Sequence, residues 1–303
     1  MLKPYPLLVP ILQALLVTFL WSTSFIIIKW GLSEIPPLTF AGLRYTIAFL
    51  VLLPWALSPK YRSALTSLSP RQWTRLAFLG VLFYSLTQGA MFIGLSLLPS
   101  VTVSLILNFS PIVVAVMGMV FINEVPTRIQ GVGTALFIVG ILVYFYPVSF
   151  IHSEWLGLMV MVVGVLVNAG SSVLGRTINY NDDIPPLIVT VVSMGIGAII
   201  LLIIGFTRDG VPHIGLTNSV LLLWMAVINT ALAFTIWNVT LRSLTAMQSS
   251  IINGTMLIQI AILAWIFLGE SISLKAGIGM TIAAGGAILV QLKFGRKTAV
   301  SIK

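Results

Sequence analysis

Along this chain, ten apolar stretches alternate with clusters of proline, charge or polar residues. They cover 9–28, 38–57, 73–95, 101–121, 129–147, 155–174, 187–206, 220–238, 247–268 and 276–292. A helix needs about 20 apolar residues to cross the hydrocarbon core of a bilayer, and each stretch is close to that length. The runs are continuous rather than alternately apolar and polar, which excludes the strands of a membrane barrel. In lipid, a helix is the element that satisfies every backbone group within itself. The pattern therefore predicts an all-α integral membrane protein of ten transmembrane helices. The first stretch reads as a span and not as a cleaved leader: it is long, Lys3 is its only nearby positive side chain, and no small-x-small site follows.

Composition leads to the same solvent. Of 303 residues, 58% are hydrophobic and 8% are charged, against roughly 25% charged in a soluble domain. A net charge of +9 would point to nucleic acid in a soluble protein; here it reports orientation, and no nucleic-acid partner is expected. With the N-terminus inside, the inner ends and loops hold Lys3, Lys60, Arg62, Arg71, Arg75, Arg128, Arg176, Arg242, Lys293, Arg296, Lys297 and Lys303. The outer ones hold only Lys29, Arg208 and Lys275. Cytoplasmic loops carry the excess of Lys and Arg, so both termini are placed in the cytoplasm, in a plasma or inner membrane. The chain has no cysteine, which excludes a disulfide scaffold, a thiol nucleophile and thiolate metal ligands.

The chain also repeats itself. A shift of 146 residues brings Leu98, Ser104, Ile106, Phe121, Glu124, Gly131, Gly133 and Gly140 onto Leu244, Ser250, Ile252, Phe267, Glu270, Gly277, Gly279 and Gly286. Nearer each start, Ile35-Pro36-Pro37-Leu38 meets Ile184-Pro185-Pro186-Leu187 at a shift of 149. This divides the chain into 1–148 and 149–303, five spans each. An odd number of spans forces the second copy to enter from the opposite side, so the repeat is inverted. Carriers use this symmetry: exchanging the conformations of the halves turns an outward-open state into an inward-open one.

These residues resemble the EamA-type branch of the drug/metabolite transporter superfamily. The likeness is carried by Trp21-Ser22-Thr23-Ser24-Phe25, by Ile28-Lys29-Trp30-Gly31-Leu32, and by the run from Pro36 through Arg44 and Tyr45. Ser110-Pro111 leading to Glu124, Leu268-Gly269-Glu270 and the glycines at 131, 133, 140, 277, 279, 285 and 286 complete it. Ser22 stands where the family commonly has Gly, and Leu257 answers Pro111, so only the first copy keeps that proline. The resemblance implies a central cavity among spans one to four and six to nine. Spans five and ten would then be outer buttresses or a homodimer contact.

Arg44 is the one charge well inside a span, and such a group is costly in lipid and a functional candidate by default. It reads either as a counter-charge for a substrate carboxylate or phosphate, gripped bidentately, or as a residue that holds the fold by bonding neighbouring polar groups. Tyr84, Gln88, Asn108, Asn168, Asn229, Trp237 and Asn253 are the other cavity candidates, the amides dividing between cavity lining and helix-to-helix bonding. Pro111 should loosen the fourth helix, and Glu124 and Glu270 are symmetric candidates for helix caps or gate latches. The glycines of spans five and ten suit close helix packing.

No Asp or Glu lies in the middle of a span. The related small multidrug-resistance proteins carry a Glu in their first helix, and this first span has none, which disfavours proton-driven efflux of cations. There is no HExxH, Walker A loop, nucleophile elbow or acidic metal cluster, so no enzyme, metal, cofactor or direct use of ATP is expected. The expectation is a secondary transporter exporting a small organic metabolite, amino acids leading. A sugar-phosphate or nucleotide-sugar exchanger, a lipid-carrier flippase and a membrane enzyme are the alternatives.

Overall fold

The computed structural model describes residues 8–110, 112–113, 117, 127–146, 152–181, 184–240 and 252–291, and every regular element among them is helical. Pro111 and Glu124 lie outside the described residues. The first half contains α1 (Leu8–Gly31), α2 (Pro37–Ala56), α3 (Pro59–Thr66), α4 (Pro70–Leu79), α5 (Gln88–Leu97), α6 (Ser100–Leu107) and α7 (Arg128–Phe145). The second contains α8 (His152–Asn181), α9 (Pro186–Asp209), α10 (Leu216–Trp224), α11 (Ala233–Thr240), α12 (Met256–Leu268) and α13 (Leu274–Gln291).

Six helical stretches among the described residues are long and apolar enough to cross a membrane. They are Leu8–Gly31, Pro37–Ala56, Pro70–Leu97, Glu154–Gly175, Pro186–Asp209 and Leu216–Trp237; shorter apolar helices run over Gly131–Phe145, Ile252–Leu268 and Leu274–Leu289. Of the fourth predicted span, 101–121, the described residues include the opening helix α6. Large apolar side chains such as Leu12, Leu16, Phe19, Ile199, Ile203 and Trp265 stand exposed, as helices solvated by hydrocarbon require.

The sequence explains where these helices start. Pro37, Pro59, Pro70 and Pro186 each occupy a first helical turn, where a missing N–H costs nothing. Ser69 and Gln72 close a reciprocal capping box at the start of α4. Two features depart from the pattern reading. α3 is a short exposed helix between the second and third spans, and α8 runs from His152 to Asn181, beyond both ends of the apolar stretch 155–174. Apolar runs mark the lipid thickness, and a helix continues beyond it wherever its residues allow.

Two stretches have π-helical hydrogen bonding: Gly80–Thr87, joining α4 to α5, and Met225–Leu232, joining α10 to α11. They fall at corresponding places in the two halves. Such widened turns are rare and shift the register of the side chains that follow.

The helix pairs recur in matched sets. α1 packs on α11 and α12, while α8 packs on α5 and α6; α2 meets the second π segment, while α9 meets the first. α2 and α9 pair with each other, and so do α7 and α13. Glycine permits the last two contacts. A Cβ at Gly42 would press on the Leu202 backbone, and one at Gly140 or Gly286 would land on the backbone of Ala283 or Phe137. The glycine faces of α7 and α13 are thus used against each other, within the chain.

Candidate functional site

Arg44 sits on α2, with 3% of its surface exposed. Its Nε donates to Thr230 Oγ1 at 2.8 Å and its Nη2 to Ser24 Oγ at 3.3 Å. The guanidinium carbon lies 5.4 Å from the centre of the Tyr45 ring. No carboxylate of the described residues pairs with it.

The second π segment supplies one of these acceptors. The Thr230 hydroxyl donates to the Met225 carbonyl five residues back, at 2.9 Å, which leaves its lone pairs facing Arg44. Asn229, on the same segment, is fully buried. Its Nδ2 donates to α1: to the Leu20 carbonyl at 2.6 Å, Ser24 Oγ at 2.9 Å and Thr23 Oγ1 at 3.0 Å. Ser24 Oγ therefore receives both the arginine and the amide, and its own proton goes to the Leu20 carbonyl. Asn229 Oδ1 is buried and has no partner.

The other candidates have more ordinary surroundings. Asn108 bonds back to the Ser104 carbonyl at 2.9 Å, and Asn168 donates to Ser110 Oγ at 2.9 Å. Gln88 is half-buried and Asn253 exposed. Tyr84 is buried against Tyr45 and Phe83, at ring separations of 5.4 and 4.9 Å. Trp237 and Phe234 flank Trp21, 5.2 and 5.3 Å away. Gln259, Ser24 and Thr230 join the candidates named from the sequence. Gln259 ties α12 to α1, accepting from Ser22 Oγ at 2.9 Å and donating to Thr18 and Thr255. The run Ser22-Thr23-Ser24 in an otherwise apolar helix was the available sign that α1 is met by polar partners.

A second polar group closes the end of the bundle where Lys29 and Glu270 lie. α12 stops at Gly269, whose left-handed backbone (φ 65°) suits a residue with no Cβ. The turn carries Glu270 across to the first half. Its carboxylate accepts from the backbone N–H of Ser100 at 2.7 Å and of Val101 at 3.2 Å, capping α6. Lys29, at the end of α1, is close enough to feel that charge. Glu34 makes the reverse connection, accepting from Gly215 N–H at 3.2 Å and from the Asn218 side chain at the start of α10. The Asn218 bond, then the Gly215 bond, holds the exposed Glu34 carboxyl below the usual carboxylate range. A cavity of about 210 Å³, lined in part by Pro99, Tyr144, Glu270 and Ser271, adjoins the Glu270 cap. It does not reach Arg44. Among the described residues no three His, Asp or Glu cluster to hold a metal ion.

Comparison with known proteins agrees with this architecture. The model of the EamA-like transporter family matches twice, over residues 8–146 and 155–292. An uncharacterized transporter of Archaeoglobus fulgidus is 24% identical over 92% of this chain and 96% of its own. A probable amino-acid metabolite efflux pump of Salmonella typhimurium is 25% identical, covering 92% of this chain and 91% of its own. An S-adenosylmethionine/S-adenosylhomocysteine transporter of Chlamydia muridarum is 27% identical over 84% and 82%. One solved crystal structure superposes with a TM-score of 0.68 over 93% of this chain and 96% of its own, at 15% identity; that likeness concerns the fold.

Proposed function

Because the chain belongs to the EamA-like transporter family, we propose that it is a secondary transporter that exports small zwitterionic metabolites, amino acids first, by alternating access and without ATP. The observation that carries this reading is Arg44. A guanidinium sealed in the bundle, with two neutral hydroxyls and no carboxylate of the described residues as partners, holds an uncompensated charge. An anionic group on a substrate would neutralise it and could use the planar fork. The names of the Salmonella and Chlamydia relatives agree in chemistry, since amino acids and S-adenosylmethionine both bear an α-amino carboxylate.

The carrier mechanism we propose is an inverted repeat of ten spans, split at 148/149, with both termini in the cytoplasm of a plasma or inner membrane. Three features support it: the family model matches once in each half, the helix pairs recur in matched sets, and both halves carry a π segment in the corresponding helix. In this mechanism, α1 with its polar run and α11 with its aromatic rings part to admit substrate beside Arg44. Glu270 and Glu34 act as latches between the halves at the outer end.

Purified protein in liposomes loaded with an unlabelled amino-acid mixture should take up labelled amino acids by counterflow. Failure across a broad amino-acid panel, with transport of lipid or sugar phosphate instead, overturns the reading.

A further inference from the structure

We infer that Asn229 Oδ1 accepts the protonated amine of a substrate whose carboxylate is held by Arg44, so that Asn229 selects α-amino acids over acids that lack the amine. This rests on the proposed role of Arg44 as the carboxylate site.

The orientation of the amide is fixed by chemistry. The Leu20 carbonyl, 2.6 Å from the Asn229 amide, can only accept, so Nδ2 must face it and Oδ1 must lie on the other arm. That oxygen is buried without a partner. The Thr39, Thr46 and Ser100 hydroxyls are also buried without partners, but a hydroxyl can rotate and either donate or accept. An amide oxygen only accepts, so it stays unsatisfied until a donor arrives, and a buried polar group in that condition calls for an explanation.

The donor must suit its neighbour. Arg44 Nη2 and Asn229 Nδ2 converge on the same Ser24 hydroxyl, and the next residue, Thr230, takes Arg44 Nε. The guanidinium and the amide that carries the lone acceptor are thus joined through one hydroxyl. In an α-amino acid, the amine nitrogen and the carboxylate oxygens are roughly 3 Å apart, as two covalent bonds from Cα dictate. One small zwitterion can therefore reach both. A bare cation at Oδ1 would add to the uncompensated charge of Arg44, whereas a zwitterion brings its own anion. Leu20, Thr23 and Ser24 all lie on α1, so withdrawal of that helix would uncover the arginine and the amide together.

The test is isothermal titration of the full chain in lipid nanodiscs with L-phenylalanine and 3-phenylpropanoate, and with L-leucine and 4-methylpentanoate. Each pair differs in the amine alone. We expect the amino acid to bind about 10- to 100-fold more tightly, the range of a hydrogen bond to a charged group. Asn229→Leu should bring the ratio close to one by weakening the amino acid while leaving the deaminated acid unchanged. Asn229→Gln, which keeps both the amide donor and the acceptor, should retain a preference for the amino acid, and it decides the matter if Asn229→Leu fails to fold. An unchanged ratio in folded Asn229→Leu, or a lost preference in folded Asn229→Gln, overturns the assignment while leaving the carrier function standing. Undiminished binding of both acids to Arg44→Ala instead removes the reading on which the assignment rests.

Discussion

The difference between holding a fold and holding a substrate comes down, at Arg44, to what replaces its two hydroxyl partners. If substrate carboxylate displaces them, Arg44→Ala should lower counterflow by at least about 100-fold while leaving folded protein. The reason is that a charge-assisted bidentate pair is among the strongest polar contacts. Arg44→Lys should be intermediate, keeping the charge without the fork. If Arg44 only stitches α1, α2 and the second π segment together, Arg44→Ala should instead melt earlier and transport normally. Thermal melts and counterflow measured on the same preparations separate these outcomes. Glu34 permits a prediction with a definite pH sign. Its folded carboxyl is held below the ordinary value by Asn218 and Gly215, so its contribution is present above the unfolded carboxylate pKa of about 4.3. That contribution fades as pH falls through the lower folded value. The melting temperatures of wild type and Glu34→Gln should differ at pH 6 and converge only once the pH has fallen below the depressed folded value.

At the level of elements, the glycine crossing of α7 and α13 and the cap of α6 make separate claims. A side chain at Gly286 meets the Phe137 backbone, which cannot give way, so Gly286→Val should destabilise by about 1–3 kcal/mol. Gly131→Ala, where a Cβ meets nothing within 4 Å, should be neutral or mildly stabilising; melts in detergent would read both. Glu270→Gln removes the charge from a carboxylate bound to two N–H groups at the start of α6, one helix turn above buried Ser104. A cysteine replacing Ser104 in this cysteine-free chain should then react faster with an impermeant maleimide from outside. Equal rates would make the cap purely structural. Much at this scale was legible in advance: proline pairs and apolar lengths located α2 and α9, and the glycine register forecast close packing. The π segments were not legible. A one-residue change in hydrogen-bond register leaves an apolar stretch looking as before, yet it puts Thr230 and Asn229 where Arg44 and α1 can use them. The Glu34 connection was hidden for a different reason, since nothing in a loop sequence says which other loop it touches.

Across the whole molecule, the distribution of charge determines what can drive the cycle. All seven carboxylates lie outside the middle of the apolar stretches, and the structure uses Glu34 and Glu270 to connect the halves at one end of the bundle. Arg44 stands apart, a fixed cation with no acid of the described residues beside it. A proton-coupled antiporter needs a buried group that exchanges its proton for substrate as the site changes sides. An arginine, protonated at every working pH, does not serve. Loading by a zwitterion leaves the net charge of the site unchanged, but it pairs the buried guanidinium with a carboxylate and gives the unpartnered amide oxygen a donor, so the loaded carrier should cross more readily than the empty one. Exchange should accordingly outpace net flux. In liposomes, labelled amino acid should equilibrate rapidly against unlabelled amino acid inside and slowly against buffer. A pH gradient imposed alone, in either direction, should produce no accumulation above the external concentration. Uphill accumulation driven by that gradient would show that a proton-carrying group takes part in the cycle, and facilitated exchange would have to be abandoned whatever Arg44 binds.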